Sequence, residues 1–147
     1  IMATRSTIAV IHEDGTVSQI YCHYDGYVSH NGQLLVTNYN NLLAAEFLVS
    51  KGDLSTLGER VTSQGAQGEH SFSNPEDGVC VYYGRDRGET GVEPRVFASV
   101  HDYRLYAKRQ EVNYLFIDGE WLYQYEVNDP TMKSVEEELK FCTPIED

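Results

Sequence analysis

Two short runs, Thr7 to Ile11 (TIAVI) and Val17 to Cys22 (VSQIYC), alternate apolar and polar positions on either side of Glu13-Asp14-Gly15. Asp-Gly between such runs is a strong hairpin signal. A two-residue loop would pair Ala9 with Ile20 and Val10 with Gln19, mixing apolar and polar side chains on each face. A three-residue loop, with Gly15 left-handed, pairs Ile8 with Ile20 and Ile11 with Val17. That register gathers Ile8, Val10, Ile20 and Cys22 on one face, and Thr7, Gln19, Tyr21 and His23 on the other. Cys22 is therefore expected in the core, with His23 and Asp25 toward solvent.

A second hairpin is predicted where Val112 to Ile117 meets Trp121 to Glu126 across Asp118-Gly119. A two-residue turn there pairs Phe116 with Trp121, Leu115 with Leu122 and Tyr114 with Tyr123, making an aromatic ladder that reads as a core face. Asp129-Pro130 closes this strand.

Helical spacing appears in Gln33 to Tyr39, capped by Ser29 or Asn31, and again in Leu42 to Lys51, which Gly52 stops. Residues 53–58 suggest one more helical turn. Val79 to Tyr83 reads as a strand. Val96 to Lys108 reads as a helix with Ser99 at its cap, and Thr131 to Leu139 as a last short helix. Residues 59–78, rich in Gly, Ser, Gln and Asn, read as a long surface loop. The prediction is a single α+β domain over residues 2–147: an antiparallel sheet from two Asp-Gly hairpins plus a further strand, with helices on one side. Met2 is taken as the natural start, with Ile1 outside the fold.

Charge changes the picture. Eleven Lys and Arg against 23 Asp and Glu give a net charge of −12, which argues against direct duplex nucleic-acid binding by a basic face. It invites a partner with a basic surface. The acidic clusters Glu13-Asp14, Glu76-Asp77, Glu136-Glu137-Glu138 and Glu146-Asp147 are the candidate contacts. No run is long and apolar enough for a membrane span, and there is no signal-peptide core. Three widely spaced cysteines suit a reducing cytoplasm rather than a disulfide framework. Eleven tyrosines in 147 residues suit half-buried strands or a recognition surface.

Candidate chemistry is sparse, and no cofactor motif is present. His23-x-Asp25 has the spacing of half a two-histidine, one-carboxylate metal site, with His30, His70 or His101 as a third ligand. The default for that pair is a surface hydrogen bond, so no metal is expected. Cys22 and His23 are adjacent on a strand and point to opposite faces, which removes a thiol–imidazole pair. Arg85-Asp86-Arg87 is the one compact basic feature. With Tyr82 and Tyr83 it would suit base stacking and phosphate contact, so Arg85, Arg87, Tyr82, Tyr83, His23 and Asp25 are the candidate ligand residues.

At ATRSTIA, GTVSQIYCHYDGY, SHNG, GDLSTLGE, YYGRDRGE and NYLFIDGEW the chain resembles a family of small uncharacterised phage and prophage proteins. Their common form is STRSTIA, then GTV, IYCH-aromatic-DGY and HNG. The resemblance runs from about Ala3 to Trp121, with Tyr24 standing where the family form has Trp. It implies viral origin and expression in the cytoplasm of a bacterial host, and brings no activity or catalytic residue with it. By analogy with small acidic phage accessory proteins, the leading expectation is a non-enzymatic inhibitor of a host nucleic-acid-handling or defence protein. Two alternatives are a protein that sequesters a nucleotide signal and a small metal-dependent or hydrolytic enzyme around His23, Asp25 and His30.

Overall fold

The computed structural model describes residues 3–125 and 131–142. Glu126, the Asp129-Pro130 stop, the Glu146-Asp147 cluster and the reading of Ile1 and Met2 lie outside the described residues.

The two Asp-Gly hairpins form as their turns dictate. The first joins β1 (Ser6–Ile11) to β2 (Val17–Cys22), with Ile8 opposite Ile20 and Ile11 opposite Val17. Its three-residue loop is closed by His12 N–H to Thr16 O, and Gly15 sits at φ +87°. Among the described residues eight strands form one sheet. Three short strands come next along the chain: β3 (Leu54–Thr56), β4 (Val81–Tyr82) and β5 (Arg95–Phe97). The second hairpin joins β6 (Val112–Ile117) to β7 (Glu120–Tyr125) through Asp118 and Gly119 at φ +50° and +79°, the pair of positive values a type I′ turn requires. Phe116, Leu115 and Tyr114 face Trp121, Leu122 and Tyr123. β8 (Lys133–Ser134) pairs with β7.

The α+β class holds, but the sheet is mixed rather than antiparallel. The hairpins meet edge to edge through a parallel β1–β6 pairing, and β2 meets β3 in parallel at Cys22 and Leu54. β1 is thereby central and flanked on both sides, which explains its nearly complete burial.

Among the described residues five α-helices and one π-helical turn accompany the sheet. A π-helical turn at Val28–Gly32 runs directly into α1 (Gln33–Asn38), without a side-chain cap. Asn31 turns inward instead, its amide lying 3.4–3.5 Å from Ser6 Oγ, Cys22 Sγ and Tyr24 O. Asn41 caps α2 (Leu42–Ser50) by accepting from Ala44 N–H. α3 is Tyr83–Arg87, α4 is Val100–Tyr106 and α5 is Val135–Leu139. The main core lies between α1, α2, α5 and the face carrying Ile8, Val10, Ile20, Cys22, Tyr114, Phe116, Trp121 and Tyr123. Each fully buried Leu, Ile or Phe side chain there contributes roughly 1.5–3 kcal/mol.

Helices do not keep to one side. Tyr103 of α4 packs with Ala9, Val17 and Leu115 on the opposite face, beside Phe97. The expected helical turn at 53–58 is β3, because Leu54 pairs with Cys22 on one side and Tyr82 on the other. The strand expected over 79–83 shrinks to β4, since Tyr83 begins α3. The helix expected over 96–108 loses its first turn to β5, where Val96 and Phe97 pair with β2 before the Ser99 cap accepts from Asp102 N–H. The helix expected from Thr131 likewise begins only after β8, with Ser134 as its cap. Residues 59–78 are irregular, as expected, apart from isolated bridges at Arg60–Val79 and Ala66–Gly68. Among the described residues no helix is long and apolar enough to cross a membrane.

Candidate functional site

On the second sheet face Tyr103 of α4 packs with Ala9, Val17 and Leu115. Alternate residues of β1 and β2 share that face, so strand periodicity alone places Thr7, Gln19 and Tyr21 on it. β5 adds Arg95 and Phe97, and the segment between α4 and β6 adds Lys108 and Gln110. With Tyr106 they surround a cleft of about 470 Å³, within the roughly 300–1,000 Å³ range of small-ligand sites.

The floor of this cleft is polar and hydrogen-bonded. Thr7 Oγ1 donates to Asn113 Oδ1 at 2.8 Å, Gln19 Nε2 donates to Lys108 O at 3.0 Å, and Asn113 Nδ2 donates to Gln110 O at 2.9 Å. Asp53, 5% exposed, holds Arg95 in a two-pronged pair at 2.5 and 2.8 Å and accepts from Tyr21 N–H at 2.9 Å. The Asp53 hydrogen bond raises the Arg95 pKa further above its usual value. Two of the guanidinium's five N–H donors serve Asp53, so three are left for a ligand. Lys108 Nζ has no hydrogen-bond or ion-pair partner among the described residues. Tyr106 stands 71% exposed at the rim. Burial raises the Tyr21 hydroxyl pKa, while nearby Arg5 opposes that rise. This hydroxyl meets His23 Nδ1 at 2.7 Å.

That last contact leads to a shallower groove of about 380 Å³, where the structure brings together His23, Tyr83 and Arg87 with Tyr24, Ser55 and Phe72. The other expected ligand residues do not join them. Tyr82 is buried, with its hydroxyl donating to Leu48 O at 2.6 Å. Arg85 is spent internally on Val61 O, Cys80 O and both oxygens of Asp86. Burial works to raise the Asp86 pKa, but the hydrogen bonds from Arg85 and Tyr82 N–H and the Arg85 charge outweigh it and hold the carboxyl low. Arg87 lies 4.3 Å over Phe72 and 5.0 Å over Tyr83 while paired with Glu89. The Arg85-Asp86-Arg87 clamp is thus a structural knot, not a pair of free guanidiniums.

The His23-Asp25 pairing is not assembled. Asp25 adopts φ +58°, leaving the strand, and His23 bonds to Tyr21. His30 contacts Asn31 and His70 contacts Asp86. Among the described residues no group of three or more His, Cys, Asp or Glu side chains could hold a metal ion. Cys22 is fully buried, and burial pushes its thiol up to about 12.

The acidic candidates also divide. Asp77 is exposed, as are Glu136 and Glu137, whereas Glu138 accepts from the Tyr123 hydroxyl at 2.6 Å. Glu76 is only 2% exposed and points inward, a correction to its expected surface role. It gathers Arg60, Ser63 Oγ and the N–H groups of Gln64 and Ala66, which explains how a Gly-rich loop holds one shape.

No family model, curated protein or solved structure matches this chain. The cleft must be judged on its own chemistry. Sequence reading missed it because Tyr21, Asp53, Arg95 and Lys108 come from four separate segments. Their signal was limited to strand periodicity at Gln19 and Tyr21.

Proposed function

We propose that this chain is a phage accessory protein that captures a small, anionic, ring-bearing ligand, of the nucleotide class, in the cleft between β2, β5 and α4. One observation carries the reading: an acidic chain places Arg95 and Lys108 beside Tyr21, Phe97 and Tyr106 at the mouth of a polar-floored cleft. Rings supply stacking, worth roughly 1–3 kcal/mol per base, and the cations supply phosphate contact. Binding without turnover would remove a nucleotide signal from the host cytoplasm. The resemblance to phage proteins supports that setting.

Calorimetric titration with linear and cyclic nucleotides tests this. Binding near one ligand per chain is expected, weakened at least tenfold by Lys108→Glu and by Phe97→Ala. No heat from any nucleotide would overturn the reading.

A second reading, inhibition of a basic host protein through an acidic surface, draws on the parallel β1–β6 pairing. That pairing sets both hairpin tips, with Glu13, Asp14, Asp118 and Glu120, at one end of the sheet. Capture of a single host protein at low salt, released at moderate salt, is the outcome expected from it.

A further inference from the structure

On the opposite face of the sheet from the cleft, the His12 imidazole bridges a hydroxyl and a carboxylate. Its Nε2 lies 2.7 Å from Ser18 Oγ and its Nδ1 lies 2.5 Å from Glu46 Oε2. An ionised carboxylate only accepts, so Nδ1 carries the ring hydrogen and Nε2 is left to accept from the serine. Three separate elements hold the arrangement. His12 is locked in the hairpin loop by its N–H to Thr16 O at 2.8 Å. Ser18 sits on β2, paired with Val10 on one side and Val96 on the other. Glu46 projects from α2.

Ser18 is buried, while His12 and Glu46 reach partly to solvent. Ser18 is 9% exposed, and the His12 and Glu46 side chains are 27% and 30% exposed. His12 also lines a groove of about 450 Å³ whose walls include Ile11, Leu42, Phe116 and Ile117. Leu42 opens α2, a helix of nine residues. Asn41 takes the Ala44 N–H, and Ala45 N–H bonds to Asn41 O. The N–H groups of Leu42 and Leu43 thus begin the helix without an intrahelical acceptor, at its positive end.

The geometry points to a second activity, independent of the cleft: Ser18, His12 and Glu46 form a nucleophile, base and orienting carboxylate for hydrolysis of a small ester with an apolar acyl group. Ser18 Oγ attacks the acyl carbon and its proton passes to His12 Nε2, while Glu46 stabilises the imidazolium. The bond from acyl carbon to the leaving oxygen breaks as His12 returns that proton to it, releasing the alcohol. Water then attacks the acyl-serine, gives a proton to His12, and the carboxylic acid leaves as Ser18 Oγ recovers its hydrogen. Ester and water become acid and alcohol, with no further reactant. His12 and Leu42 both line the groove, so its apolar walls lie beside the imidazole to take the acyl chain, and the Leu42 N–H at its rim is the donor for the developing oxyanion.

The test is covalent. Purified chain is treated with an alkyl fluorophosphonate and followed by intact mass, with peptide mapping and p-nitrophenyl butyrate hydrolysis alongside. One adduct per chain on Ser18 is expected. Ser18→Ala should take none and lose hydrolysis above buffer, while His12→Gln and Glu46→Gln should slow both by at least ~100-fold and ~10-fold. Ser18→Ala and Glu46→Gln change little volume, so their melting curves report whether the fold is kept. Folded wild-type chain that gains no adduct on Ser18 at saturating probe would overturn the proposal. So would labelling that proceeds unchanged in folded Glu46→Gln and His12→Gln.

Discussion

Tyr103 buries its ring against Ala9, Val17 and Leu115, yet its hydroxyl has no hydrogen-bond partner. Burial pushes that hydroxyl up to about 12. An unpaired buried donor costs more than an absent one, so Tyr103→Phe should raise stability by roughly 0.5–1 kcal/mol in urea unfolding. A loss would show that the hydroxyl is satisfied. The buried tyrosines elsewhere illustrate the contrast: Tyr39, Tyr82 and Tyr114 donate to Gly58 O, Leu48 O and Gly26 O. Much of the tyrosine content is therefore core, and these three hydroxyls each donate to a backbone carbonyl. Glu76 sets a different test. The Arg60 hydrogen bond first, then those from Gln64 N–H and Ser63, hold its carboxyl at about 2, below an ordinary value near 4.5. A depressed carboxyl stabilises the fold fully above its unfolded value and loses that contribution as pH falls toward the folded one. Amide protection in residues 60–78, taken relative to the intrinsic exchange rate at each pH, should therefore fall between about pH 4.5 and 2. In Glu76→Gln the loop should be looser at neutral pH and nearly insensitive across that window. Unchanged protection over the window in the wild-type chain would contradict the role given to Glu76.

Elements divide by the range of their determinants. Both hairpins and their registers were legible because an Asp-Gly turn and a period-two pattern are local, and Ser99 and Gly52 marked helix ends for the same reason. β3 and β5 were not legible, and β4 was legible only as a longer strand over 79–83. Each is two or three residues long, and each is a strand only because a distant partner offers its edge. The aromatic ladder says where β6 and β7 meet, but nothing local says that β6 will lie parallel to β1. The cleft inherits that difficulty, since its walls come from short strands and a connecting segment. The Ser18-His12-Glu46 set is hidden similarly: His12 and Ser18 are six residues apart across the turn, and Glu46 is 34 residues from His12. Gly52 shows how tightly one such long-range contact is built. At φ +89°, a Cβ there would stand 2.4 Å from Val92 O, which also accepts from Asp53 N–H. Gly52→Ala should cost at least ~2 kcal/mol, from left-handed strain plus a backbone clash. Because Asp53 anchors Arg95, the same change should weaken any cleft ligand.

At the scale of the whole molecule, the parallel joining of two hairpins polarises the sheet. One end gathers both turns and their carboxylates, and the other opens the face beside α4, where Arg95 and Lys108 stand among rings. A net charge of −12 repels anions at a distance, so an anionic ligand must be selected at close range by that cleft. Salt should then weaken nucleotide binding only modestly, unlike capture of a basic protein. The measurement to make is backbone amide NMR of the labelled chain during titration with the best-binding nucleotide. Saturable shifts centred on Gln19, Tyr21, Phe97, Tyr106 and Lys108, absent in Lys108→Glu, are the expected result. No shifts with any nucleotide, or shifts confined to the hairpin tips at Glu13 to Gly15 and Asp118 to Glu120, would contradict the ligand-capturing cleft.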